Sequence, residues 1–206
     1  MFQSGISNDR TERDTDMTEN RVIIFEQAGA DPRTDLFTIE HGDARTSVRA
    51  VAEPAQMLEL VSDLAAEGVD RLELCGGFGA GWHARARAIV GDRALLGAVY
   101  YGFESLANVA AYKARFEAGE VLAETFLIVH EGADPQVDRV TAERADGGTT
   151  TFVGVPDLTA AAEVAAKMAG DVQLIELYGA PGPESAEPVI EAVAGTVPVG
   201  FSAYSR

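Results

Sequence analysis

Short apolar runs alternate with amphipathic stretches along the chain. Val22-Ile23-Ile24-Phe25 and Phe126-Leu127-Ile128-Val129 are four-residue apolar runs that suit strands buried on both faces. An Asp-Pro pair follows each. Asp31 or Asp134 suits an N-cap and Pro32 or Pro135 the first helical position, so the pattern predicts a short helix reaching about Gly42 or Asp146. A β-hairpin around His41-Gly42-Asp43-Ala44 and Ala145-Asp146-Gly147-Gly148 is the competing reading. Further on, the two halves carry matching strands at 46–52 and 149–155, helices at 54–67 and 157–169, strands at 71–75 and 173–178, helices at 82–90 and 184–193, and strands at 95–101 and 197–204.

The match extends to single residues. Gly29-Ala30-Asp31-Pro32 recurs as Gly132-Ala133-Asp134-Pro135, an offset of 132 − 29 = 103. The same offset relates Asp35 to Asp138, Glu73-Leu74 to Glu176-Leu177, Gly76 to Gly179, Gly97 to Gly200 and Tyr101 to Tyr204. The chain is read as a tandem duplication: a flexible polar tail over 1–20, a first α/β repeat over 21–102, a helical linker over 103–123 and a second repeat over 124–206. Met17 offers an alternative start within the tail. Alternating strands and helices argue for parallel βαβ units with right-handed crossovers. The favoured architecture is a small TIM-like (βα)8 barrel of two half-barrels, and the alternative is two packed four-stranded open α/β sheets.

A length of 206 residues with 47% hydrophobic positions supplies one compact unit or two small ones, and a net charge of −17 repels nucleic acid and anionic lipid as partners. One cysteine, Cys75, forms no internal disulfide, and no apolar run has the length of a membrane span, so a cytoplasmic protein is expected.

In such a barrel the chemistry sits where the strands end. Glu73 and Glu176 lie inside apolar strands, on the face opposite their flanking Leu and Ile residues, and are expected to point into the interior. A carboxylate so placed serves as general acid, base or metal ligand, or holds the two halves together through buried hydrogen bonds or arginine pairs. Around them the candidate catalytic groups are His130, Cys75, Tyr101 and Tyr204. Gly76, Gly77, Gly79, Trp82, His83, Tyr178 and Gly179 are candidates for ligand binding. Three histidines on separate elements make no zinc set, and no cofactor motif is present, so neither metal nor cofactor is expected. Cys75 and His83 are replaced by Tyr178 and Ala186 in the second half, and His130 stands for Gln27, which predicts one asymmetric pocket.

The segment Leu72–Gly79, with Leu95–Gly102 and Val197–Ser205, resembles a family of small uncharacterised bacterial proteins with an IELCGGFGP-like centre. Glu73, Cys75, Gly76, Gly77, Phe78 and Gly79 fit in the first half; Glu176 and Gly179 fit in the second, where Tyr178, Ala180 and Pro181 depart. The resemblance implies a single-repeat ancestor that dimerised. The expected function is a lyase or isomerase acting on a small polar metabolite through acid/base carboxylates. A non-catalytic small-molecule binder or self-associating scaffold is the alternative, and a homodimer is possible.

Overall fold

The computed structural model describes residues 19–204. The first half contains β1 (Glu19–Glu26), β2 (Asp35–His41), β3 (Ala44–Val51), α1 (Pro54–Glu67), β4 (Arg71–Leu74), α2 (Ala80–Val90) and β5 (Leu95–Tyr101). A linker helix, α3 (Leu106–Glu117), leads to β6 (Ala123–Val129), β7 (Arg139–Glu143), β8 (Thr149–Val155), α4 (Leu158–Met168), β9 (Leu174–Tyr178), α5 (Glu187–Val193) and β10 (Val199–Tyr204). The expected tail over 1–20 and the Met17 start lie outside the described residues, apart from Glu19 and Asn20, which open β1.

The Asp-Pro segments do not start helices. Asp31 instead accepts from the backbone and the guanidinium of Arg33 at 2.8 to 3.0 Å, which closes a tight turn. Phe37 and Ile39 then alternate with exposed or half-buried neighbours along β2, and Gly42, at φ +56°, turns the chain into β3. The hairpin reading is correct, and each half has five strands rather than four.

Among the described residues, ten strands form one sheet in the order β2-β3-β1-β4-β5-β10-β9-β6-β8-β7. Within each half β1, β3, β4 and β5, or their counterparts, run parallel, and the hairpin strand is antiparallel. The halves join through β5 and β10, which pair antiparallel from Gly97↔Tyr204 to Tyr101↔Gly200. A (βα)8 barrel needs all its strands parallel, so this seam corrects the TIM-like reading, and one continuous sheet also replaces the two separate ones.

The sheet rolls into a nearly closed, barrel-like shape. Its ends meet through side chains: Phe37 stacks on Phe152 with centroids 6.1 Å apart, and His41 Nε2 lies 2.9 Å from Asp138 Oδ2. Inside, Phe25, Phe126 and Phe152 pack edge to face at 5.5 Å, so both halves share one core. Helices cover the outer face. Pro54 starts α1 within a Glu53/Gln56 capping box, and its Met57, Leu60, Val61 and Leu64 are buried; Asp157 caps α4 by accepting from Ala160 N at 2.8 Å.

Candidate functional site

Glu73 and Glu176 reach across the seam in opposite directions. Glu73 is fully buried on β4 and accepts from the Gly179 N–H of the second half at 3.1 and 3.2 Å, with Arg21 Nε 3.6 Å from its other side. Glu176, 2% exposed on β9, accepts from the Gly76 N–H of the first half at 3.0 Å, from Tyr101 Oη at 2.7 Å and from the Tyr178 hydroxyl. Burial pushes the Glu176 carboxyl up to about 7 against these hydrogen bonds, which favour its charged form. The Tyr204 hydroxyl is buried beside Glu73, and burial followed by that carboxylate's charge pushes its pKa up.

Glycine makes this crossing possible. A Cβ on Gly97 would stand 2.9 Å from the Tyr204 ring, and one on Gly200 would stand 2.8 Å from the Tyr101 ring. Each tyrosine therefore lies flat over the opposite half's glycine and carries its hydroxyl toward the carboxylate beyond.

Because the halves are antiparallel, their strand C-termini point to opposite poles, and the expected common mouth is divided. One pole holds Cys75, Gly76, Gly77, Gly79, Tyr101, Trp82 and His83. The other holds His130, Gly179 and Tyr204. Cys75 is buried, and burial followed by the charge of Glu176 pushes its thiol far up, which opposes a thiolate nucleophile. Tyr178 is fully buried against Glu176 and offers no ligand surface. Trp82 carries the Arg85 guanidinium at 4.7 Å, and His83 Nδ1 meets Tyr100 Oη at 3.1 Å on the outer surface. Gly77 and Gly79 shape the turn into α2.

A cavity of about 300 Å³ opens at the other pole, where the N-terminal ends of β1, β3 and β4 meet the C-terminal ends of β6, β8 and β9. Glu19, Arg21, Thr46, Arg71, His130 and Gly179 are among its walls. Arg21, 7% exposed, donates through Nη1 to Val129 O at 2.9 Å, while its Nε has no hydrogen-bond partner. His130, 3% exposed, uses Nδ1 on Thr46 Oγ1 at 2.9 Å and leaves Nε2 buried and unpartnered. Burial, then the charge of Arg21, lowers the imidazole's pKa and keeps it neutral. Sequence reasoning missed Arg21, Arg71, Thr46 and Glu19 because it searched strand ends and these are strand starts. Register supplied the signal: Arg21, two residues before Ile23, shares the face of Glu73.

The pseudo-symmetric position is occupied by side chains. Glu124 stands where Arg21 does and accepts from Thr150 Oγ1 at 2.6 Å and Tyr112 Oη at 2.9 Å, with Arg144 Nη1 at 3.0 Å. Among the described residues no three His, Cys, Asp or Glu side chains gather as metal ligands, and no helix is long and apolar enough to cross a membrane.

Fold and cavity together define a duplicated α/β protein whose halves share one rolled sheet, with a ligand-sized space at one pole. The chain belongs to the family of unknown function DUF6506, whose model matches residues 19–114 and again 122–206. No curated protein matches it. Similar solved structures include a periplasmic solute-binding protein of an ABC transporter from Actinobacillus succinogenes 130z with bound D-allose (11% identity, TM-score 0.28, covering 87% of this chain and 77% of that one). A carbohydrate transporter from Acidothermus cellulolyticus 11B in complex with myo-inositol matches at 12% identity and TM-score 0.26, over 89% and 73% of the two chains. A solute-binding protein from Clostridium phytofermentas with bound L-rhamnose matches at 12% identity and TM-score 0.27, over 88% and 68%.

The lyase or isomerase expectation is overturned. Both carboxylates assigned to acid–base work are committed to hydrogen bonds between the halves. These comparisons give the cytoplasmic expectation no support.

Proposed function

We propose that this protein binds a small polar metabolite, without transforming it, in the cavity walled by Arg21, Arg71, Thr46 and His130. One observation carries the reading: His130 Nε2 is buried beside the cavity without a hydrogen-bond partner. A buried polar atom without a partner costs about 1–3 kcal/mol, and a ligand that supplies the partner recovers it. Replacement of Arg21 by Glu124, and of His130 by Gln27, at the pseudo-symmetric position supports a single site. Glu73, beneath the cavity, then serves as its frame: it fixes Gly179 and faces Arg21.

Thermal denaturation with a panel of polyols, sugars, amino acids and carboxylates tests this. A ligand at one hundred times its Kd adds about 2.7 kcal/mol, a shift of several degrees. One chemical class is expected to raise Tm in the wild type and to raise it much less in His130→Phe. A panel with no effect, or an effect that His130→Phe leaves intact, refutes the proposal.

A further inference from the structure

The cavity's own wall carries information about its ligand. Glu19 Oε1 lies 2.9 Å from Arg71 Nε and 3.4 Å from Arg21 Nη2, so one carboxylate oxygen bridges two guanidiniums at the opening. The Glu19 side chain is 43% exposed, in contrast to the 8% of Arg21 below it. It is a surface carboxylate resting on a buried cation. We infer that the cavity takes a small hydroxycarboxylate anion, and that Glu19 holds the place of the ligand's carboxylate until that ligand displaces it. The inference rests on reading the cavity as a binding site.

Charge supports an exchange of this kind. Arg21 and Arg71 both hold Glu19, Arg21 also faces Glu73, and Glu131 lies on the rim. An anion entering beside a seated Glu19 would add a like charge to a site that already carries more carboxylates than guanidiniums. An anion replacing Glu19 leaves the balance unchanged and meets the same two guanidiniums, whose planar donors match a carboxylate. A neutral polyol has no such exchange to make.

Deeper in, the requirement changes. His130 has one nitrogen held by Thr46, and its Nε2 acts as donor or acceptor according to the tautomer. A hydroxyl both donates and accepts, so it satisfies either form. At about 300 Å³ the cavity has room for roughly ten water-sized groups, which suits an acid of three to six carbons rather than a sugar nucleotide or a peptide.

Calorimetric titration of the intact protein with L-lactate, propionate and glycerol separates the parts, using wild type, Glu19→Gln and His130→Phe with folding checked by circular dichroism. Lactate is expected to bind wild type, and to bind Glu19→Gln about tenfold more tightly because a competing charge is gone. Propionate, lacking the hydroxyl, is expected to bind about tenfold more weakly than lactate in wild type and equally to it in His130→Phe. Equal lactate affinity in wild type and Glu19→Gln overturns the place-holding role. Binding of glycerol without lactate overturns the ligand class while the cavity remains a binding site. Absence of binding by any polar metabolite, in wild type and in Glu19→Gln, defeats both readings.

Discussion

At Glu73 a carboxylate, a guanidinium 3.6 Å away and a backbone N–H from the other half share one buried site, so changing the acid leaves both partners stranded. Glu73→Ala is expected to cost about 3–5 kcal/mol in urea denaturation, the usual penalty for an uncompensated buried charge. Adding Arg21→Met is expected to recover part of that loss; strict additivity of the two changes would contradict a direct pair. Glu176 predicts a pH effect with a definite sign. Its folded pKa of about 7 exceeds its ordinary 4.5, so the folded state holds this proton more tightly. Its contribution to stability is complete below about pH 4.5, falls as pH rises through 7, and changes no further above that. His130 and His83, with lowered pKa values, act in the opposite direction as pH falls, so the informative quantity is the difference between wild type and Glu176→Gln. That difference is expected to shrink as pH rises from 5 to 8. Both glutamates were legible in the sequence as acids inside apolar strands. Holding the halves together was one of the two readings open to them; the partner itself was not legible, because the amide each one binds lies about a hundred residues away in the chain.

Among the elements, the seam between β5 and β10 makes the most specific demand on sequence. Gly97→Ala would drive a methyl into the Tyr204 ring, so a loss of about 1–3 kcal/mol is expected, the range for overpacking a filled interior. Gly81→Ala is the contrast. Gly81 lies in α2 with nothing within 4 Å of an added Cβ, and the change is expected to gain about 0.5–1 kcal/mol through helix propensity and a less flexible unfolded chain. Equal effects at the two positions would mean that Tyr204 does not rest on its glycine. Eight of the ten strands begin within three residues of the positions read from apolar runs. The hairpin strands escaped because Asp-Pro is as good a turn as a helix start, and the alternation of Phe37 and Ile39 was the better signal. Strand direction across the seam was not legible at all. Apolar patterning specifies which face a strand buries, and it is silent on whether two halves meet parallel or antiparallel.

At the scale of the whole molecule, duplication and shared interior make one cooperative unit from two repeats. Phe126, Ile128, Phe152 and Tyr178 of the second half pack in the same core as Phe25, Phe37 and Leu74 of the first, while a second cluster between the second half's strands and α4 and α5 belongs to that half alone. The second half therefore completes the aromatic interior of the first, and neither carboxylate has its backbone partner until both are in place. Unfolding one half would expose the inner face of the other and strand a buried acid, which leaves no stable half-folded state. Calorimetry is expected to show a single transition with equal calorimetric and van't Hoff enthalpies, although the chain contains two copies of one family domain. Cutting one of the two crossings with Glu176→Ala is expected to lower Tm without dividing the transition. The aromatic interior still spans both halves in that variant, whereas two resolved transitions in the wild type would show that the repeats behave as separate domains on a common sheet.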